Sequence, residues 1–343
     1  MPRDMMPKTR PKSPGALSLA LQGGGSFGAY TAGVLDGLLA DQRPAFDTVS
    51  GASAGAINAV LLADGLAEGG RPAAREKLER FWNRVSLLSP LPRLGLAERA
   101  AASAAVLLSP YQFNPLGLDP LRQILAEEVD FERLRRSSPV RLLIATTRVR
   151  DGSLRLFRED DISLEAVLAS ACLPHIHHAV EIDGDAYWDG GLTANPPLRQ
   201  LVEESVTDDI LLVQLTPIER EGVPHSSGEI SRRVAEISFA HSLQHELDAL
   251  AAMAALCDDA GVSEAGMCGK LRRLRLHRIA AEDSVAGLHD ASPLRTDLPF
   301  IHRLRTAGQE AAADWLASDT GQREPPNLSA LAAAAAPRAQ VAR

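Results

Sequence analysis

Three glycine-flanked segments hold the groups best suited to chemistry: Gly23-Gly24-Gly25-Ser26-Phe27-Gly28, Gly51-Ala52-Ser53-Ala54-Gly55 and Trp188-Asp189-Gly190-Gly191. The middle one has the GxSxG pattern. Between a strand and a helix, such a turn bends sharply enough to expose the serine hydroxyl, and Gly51 and Gly55 remove the Cβ atoms that would strike neighbouring backbone. A helix starting behind Ser53 would favour negative charge building up there. The same pentapeptide also reads as a small-residue turn that packs helix against strand. In the first segment, glycines let backbone N–H groups point outward together, which suits an oxyanion or a phosphate equally, and Gly28 completes a GxGxxG spacing. Dinucleotide binding would need an acidic residue about 20 positions on, at the far end of the next strand. Asp47 has that distance but sits near the start of its strand, which favours the oxyanion. In the third segment Asp189, beside Tyr187 and Trp188, could serve as base: a carboxylate in an apolar site holds its proton more tightly and can then take one from a serine. Gly190 and Gly191 would let a substrate approach it. Taken alone, a DGG is a turn.

The elements that must position these groups alternate between strand and helix. Residues 16–22, 46–50, 140–147, 210–215 and 271–279 read as strands, and 30–40, 56–63, 72–85, 164–171, 231–258 and 301–317 as helices. Residues 154–158 pair plausibly with 140–147. Residues 179–182 and 185–188 read as a hairpin, because Asp183-Gly184 supplies the positive φ of a tight primed turn. Asn195 is expected to cap a helix opened by Pro196-Pro197. The alternation predicts an α/β protein with a central, mostly parallel sheet covered on both faces.

The three segments in this order resemble the patatin-like phospholipase family. The likeness extends through Leu19-Ala20-Leu21-Gln22 before the first glycines, Ala169-Ser170-Ala171-Cys172-Leu173-Pro174, and Asn195-Pro196-Pro197. It is convincing over roughly residues 15–215. The resemblance implies a three-layer α/β/α acyl hydrolase using a Ser-Asp dyad without histidine, with no metal or organic cofactor and a lipid or other hydrophobic ester as substrate. It matches Ser53 to the nucleophile, Asp189 to the base, and Gly23, Gly24 and Gly25 to the oxyanion loop. One departure is Phe27, where the family often carries Arg or Lys, and this puts a preference for anionic headgroups in doubt. Arg148 and Arg158 are alternative sources of a cation. Two rival readings stand beside it. One is an α/β-hydrolase whose Ser-Asp-His triad draws on His277, His289 or His302; the other is an idle lipid- or partner-binding module.

Composition bounds the remaining choices. The chain has 343 residues and a net charge of -8, which gives no electrostatic reason to expect nucleic acid. Residues 1–14 and 319–343 read as flexible tails around one domain at 15–318. The apolar run 16–21 is too short for an export signal, and prolines and polar residues interrupt the uncharged stretch 100–118, so no membrane span is expected. Residues 87–118 could instead cover the site or touch a lipid surface in passing. The spacings of Cys172, Cys257 and Cys268 match neither a disulfide framework nor a metal knuckle, and a reducing, cytoplasmic setting is the simpler expectation. His175, His177 and His178 are expected to line the mouth of the site rather than ligate metal, and the His241/His245 pair to serve helix packing.

Overall fold

The computed structural model describes residues 16–88, 109–216, 222–259, 266–285, 287–288 and 291–318. Both expected tails, and most of the 87–118 segment, lie outside the described residues.

The chain alternates as its apolar pattern requires. Strand β1 (Ala16–Leu21) passes through a single 3-10 turn (Gly25–Phe27) into α1 (Gly28–Ala40), and β2 (Ala45–Gly51) passes into α2 (Ala54–Ser86). Non-helical backbone at Gly69 and Gly70 divides α2, so the two helices expected there are joined by a kink. Short helices α3 (Pro110–Phe113), α4 (Pro120–Glu128) and α5 (Phe131–Ser137) lead into β3 (Arg141–Arg148), β4 (Leu154–Phe157) and α6 (Leu164–Ser170). The hairpin β5 (Val180–Ile182) and β6 (Asp185–Asp189) follows. Its turn residues Asp183 and Gly184 have φ of 52° and 83°, as the Asp-Gly pair predicts. After a 3-10 turn (Gly190–Leu192) come α7 (Leu198–Glu204), β7 (Asp209–Gln214), α8 (Ser227–Asp259), α9 (Gly266–Arg273), β8 (Arg275–Ala280), α10 (Ala281–Ser284) and α11 (Leu298–Ala317).

Strand pairing runs β5-β6-β3-β2-β1-β7-β8, with β4 also paired to β3. The pairs among β1, β2, β3, β7 and β8 are parallel, whereas β4, β5 and β6 pair antiparallel. Alternate residues of one strand enter opposite cores, as a two-residue period demands. Leu19, Leu21, Leu142, Ile144, Leu211 and Val213 meet α1, α2 and α11, while Ala20, Leu143, Ile210 and Leu212 meet α7, α8 and α9. The result is the expected three-layer α/β/α arrangement.

Three expectations need correction. The segment 271–279 is helix to Arg273 and strand only from Arg275. Leu271, which strand periodicity claims, is instead the buried face of α9. Asn195 caps no helix, because α7 starts after Pro197 and the Asn195 side chain is engaged elsewhere. Cys257 and Cys268 form a disulfide, their Cα atoms 5.3 Å apart, because the packing of α9 against α8 brings together cysteines 11 residues apart. This removes the cysteine argument for a reducing compartment.

Candidate functional site

The site forms where β2 stops. Ile144 on β3 lies between Gly51 of β2 and Phe157 of β4, and Thr146 lies between Asp189 of β6 and Arg155 of β4. A residue has only two lateral neighbours in a sheet, so β4 occupies one flank of β3, and β2 and β6 share the other in succession. β2 runs up that flank and ends at Gly51; β6 runs down it and ends at Asp189. Gly51 and Asp189, 138 positions apart in the chain, thus come two residues from each other along β3, at the junction of two strands pointing at each other.

Ser53 sits in the turn that takes β2 into α2. Its φ of 54° and ψ of -125° lie in the left-handed half of backbone space, a sparsely occupied region that costs of order 1–3 kcal/mol and persists only where the surroundings hold it. Those surroundings are visible. Its N–H donates to Ser170, 3.0 Å from Oγ and 3.1 Å from the carbonyl oxygen. A Cβ on Gly55 would stand 2.0 Å from the Leu21 carbonyl oxygen, so only glycine lets the helix start this close to β1. Gly51 is equally confined by the Gly55 backbone, and Gly28 by Ala54 and Trp82.

Asp189 is fully buried. Its Oδ1 accepts the Gly191 N–H at 2.8 Å, and its own N–H donates to the Cys172 carbonyl at 2.9 Å. Oδ2 makes no hydrogen bond of normal geometry among the described residues. Burial raises the carboxyl pKa to about 7, against the lowering effects of the Gly191 amide and the neighbouring Ser53 hydroxyl. The Ser53 hydroxyl thus neighbours the carboxylate without a completed hydrogen bond to it; catalytic hydrogen bonds commonly tighten only when substrate binds. A Cβ on Gly190 would meet the Ala145 carbonyl oxygen at 2.0 Å, which is why the chain can turn beneath β3 directly after the aspartate. Gly191 is pressed against the Phe239 ring of α8.

The glycine loop divides its amides. Gly23 donates its N–H to Asn195 Oδ1 at 2.7 Å, so this amide is committed within the protein. The Ser26 N–H goes to the Pro293 carbonyl at 2.7 Å and the Phe27 N–H to the Gly24 carbonyl at 3.1 Å. Among the described residues no acceptor is recorded for the N–H groups of Gly24 and Gly25. Phe27 does not face the site. It is buried, edge-on to Phe300 with ring centroids 6.2 Å apart, so the hydrophobic residue is a core element and not an emptied cation site.

The other residues singled out lie apart. Arg148 pairs with Asp151 and Arg158 with Glu204. His277 binds Asp209 at the start of β7, at the opposite end of the sheet from Ser53. His302 is exposed on α11, and His289 lies outside the described residues. Tyr111 stacks on His178, with ring centroids 4.2 Å apart, which seats α3 on the hairpin; burial lowers the His177 pKa. These two histidines line a cavity of about 280 Å³ together with Asp119, Leu168 and Cys172. Among the described residues there is no group of three or more potential metal ligands. Burial pushes the Cys172 thiol up to about 12, leaving it inert at neutral pH. Among the described residues no helix is long and apolar enough to cross a membrane.

Residues that the motif reading missed are Ser170 and Asn195. Both lie inside quoted motifs, but their hydrogen bonds join segments 117 and 172 positions away.

Comparison with known proteins matches residues 19–202 to the family model described as Patatin-like phospholipase. The uncharacterized protein YjjU of Escherichia coli (strain K12) is 24% identical over 246 residues, covering 67% of this chain and 60% of that relative. The chain thus spans about three fifths of the curated relative it matches. Among solved structures, VipD from Legionella pneumophila aligns with a TM-score of 0.42 and 16% identity, covering 88% of this chain and 66% of that one. The ExoU chain of the ExoU-SpcU complex from the Pseudomonas aeruginosa type III secretion system aligns with a TM-score of 0.31 and 16% identity, covering 93% and 74%.

Proposed function

We propose that this chain, which belongs to the patatin-like phospholipase family, is a serine acyl hydrolase that cleaves fatty-acyl or similar hydrophobic carboxylic esters through Ser53 and Asp189. The observation that carries the reading is the buried carboxyl of Asp189, raised to about 7, beside a serine held at positive φ. A base poised near neutrality can accept the serine proton and later return it, which a carboxylate of ordinary basicity does poorly.

Asp189 Oδ2 takes the proton as Ser53 Oγ attacks the ester carbonyl. The tetrahedral oxyanion is held by the N–H groups of Gly24 and Gly25, with Gly23 supporting the loop rather than donating. Return of the proton to the departing alkoxide leaves an acyl-serine. Water, deprotonated by the same carboxylate, then releases the carboxylic acid. No step calls for a metal or organic cofactor. The substrate proposed is a lipid ester, reached by transient contact with a membrane or micelle surface.

The test is hydrolysis of p-nitrophenyl esters and of phospholipid vesicles by the wild type, Ser53→Ala and Asp189→Asn, together with fluorophosphonate labelling. Turnover should fall by about 10²–10⁴-fold in each variant, and labelling should vanish in Ser53→Ala. Undiminished hydrolysis by either variant removes that residue from the mechanism.

A further inference from the structure

The Asn195 side chain is completely buried, and every hydrogen bond recorded for it goes to backbone. Oδ1 accepts the Gly23 N–H at 2.7 Å, while Nδ2 donates to the Gly23 carbonyl at 3.4 Å and the Phe239 carbonyl at 3.2 Å. It therefore holds both polar groups of the first loop glycine and ties that glycine to α8.

The space around Gly23 shows what this clamp controls. A Cβ built on Gly23 would lie 2.7 Å from Ser53 Cβ, 2.8 Å from the Ala52 carbonyl oxygen and 3.0 Å from Asn195 Oδ1. Gly23 is thus wedged between the nucleophile's own Cβ and the amide of Asn195. On the strand side Gln22 Oε1 accepts the N–H groups of Leu215 and Thr216 at 2.7 and 2.9 Å, and beyond the glycines the Pro293 carbonyl takes the Ser26 N–H. The loop is fixed before and after its glycines, and Asn195 sets the position of the first of them relative to Ser53.

We infer that Asn195 is a positioning residue for the oxyanion loop: it removes the Gly23 amide from use, fixes the loop against Ser53, and so assigns the developing oxyanion to Gly24 and Gly25. The inference rests on the proposed hydrolase reading. A donor pair must meet an oxyanion at about 2.7–3.1 Å, and misplacement by about 1 Å costs on the order of 100-fold in rate.

Three variants test it. For Asn195→Ala, kcat per active site titrated to endpoint with fluorophosphonate should fall about 100-fold, with KM held within about threefold, because the loss is confined to the transition state. If only the thermal midpoint and the titrated fraction fall, while kcat per titrated site stays at the wild-type level, Asn195 is merely structural and the inference is overturned. Asn195→Asp decides the matter even where the alanine variant fails to fold. A protonated carboxyl reproduces one acceptor and one donor, whereas an ionised one has no donor and repels the oxyanion. Its kcat relative to the wild type should therefore fall as pH rises. A ratio near one that is flat with pH overturns the inference. Ser53→Ala separates the two levels: if it still turns over ester, the hydrolase reading fails, and if it is inactive while the Asn195 variants keep kcat, only the positioning role fails.

Discussion

Replacing Asp189 with Asn should cut activity by about 10²–10⁴-fold and stabilise the protein in the same variant, with a pH dependence that identifies the carboxyl as the cause. Burial moves its pKa from 3.8 to about 7. At 1.36 kcal/mol per pH unit, the fold disfavours the ionised form by about 4 kcal/mol. A folded-state pKa above the unfolded value gives stability that is complete below the unfolded pKa and lost as pH rises through the folded one. The stability of wild type should thus decline from about pH 4 to just above pH 7, with about 3 kcal/mol of that decline falling between about pH 5 and pH 9. Asp189→Asn keeps the shape and does not titrate. Urea unfolding of both proteins across this range should show the variant gaining on the wild type by about 3 kcal/mol toward alkaline pH, while the other groups cancel in the difference. Activity runs the opposite way: kcat/KM of the wild type should rise about tenfold between about pH 6 and pH 8, following ionisation of the base. A stability difference independent of pH, or a rate profile already flat above about pH 5, would refute the argument that burial poises this carboxyl.

Other perturbations test the supporting structure. Gly55→Ala drives a methyl group to 2.0 Å from the Leu21 carbonyl oxygen and should cost at least about 3 kcal/mol or abolish soluble expression, read by chemical denaturation. Lys77 is buried with its Nζ 2.5 Å from Asp64 Oδ2 and 2.6 Å from the Glu128 carbonyl oxygen; Lys77→Met should destabilise by about 3 kcal/mol in urea unfolding and leave kcat per titrated site unchanged. Phe27→Arg, which restores the residue the family often carries, places a charge in the core beside Phe300; the thermal midpoint should drop sharply with no gain on anionic lipid. Non-reducing peptide mapping should recover Cys257 joined to Cys268, with Cys172 resisting alkylation until the protein unfolds.

The alternation of strand and helix was legible because buried parallel strands are continuous apolar runs of fixed length, and because Asp183-Gly184 can only turn one way. Local glycine chemistry was legible for a similar reason: Gly55 and Gly190 stand where a Cβ would strike a strand carbonyl, so the sequence records contacts made by backbone. What periodicity cannot record is lateral order. Nothing in residues 45–51 or 185–189 says that β2 and β6 share one flank of β3, since that depends on which strand claims the far flank, and β4 does so by pairing with residues 144–147. The polar clamps were hidden likewise. Asn before Pro-Pro has every local mark of a helix cap, and only the tertiary fold reveals that its amide reaches Gly23.

The end-to-end meeting of β2 and β6 also gives the proposed dyad a physical reason to need no histidine. In a Ser-His-Asp triad the histidine stands between the serine and the acid, taking the serine proton while the acid orients the ring. Here the flank of β3 delivers a carboxylate in register with the serine turn, Asp189 opposite Thr146 and Gly51 opposite Ile144. In the proposed dyad the short acid acts from that register position directly, and the sheet that places it also excludes the water that would otherwise keep its pKa near 3.8. Position and basicity then share one cause. Lengthening the side chain by Asp189→Glu should disturb both together: the carboxyl would have to displace the Gly191 amide contact or push against Ser53. The expected result is a loss of about 100-fold or more in kcat, with the pH midpoint moved from about 7. A Glu variant with wild-type kcat and an unmoved midpoint would show that the strand junction does not set the geometry of the pair.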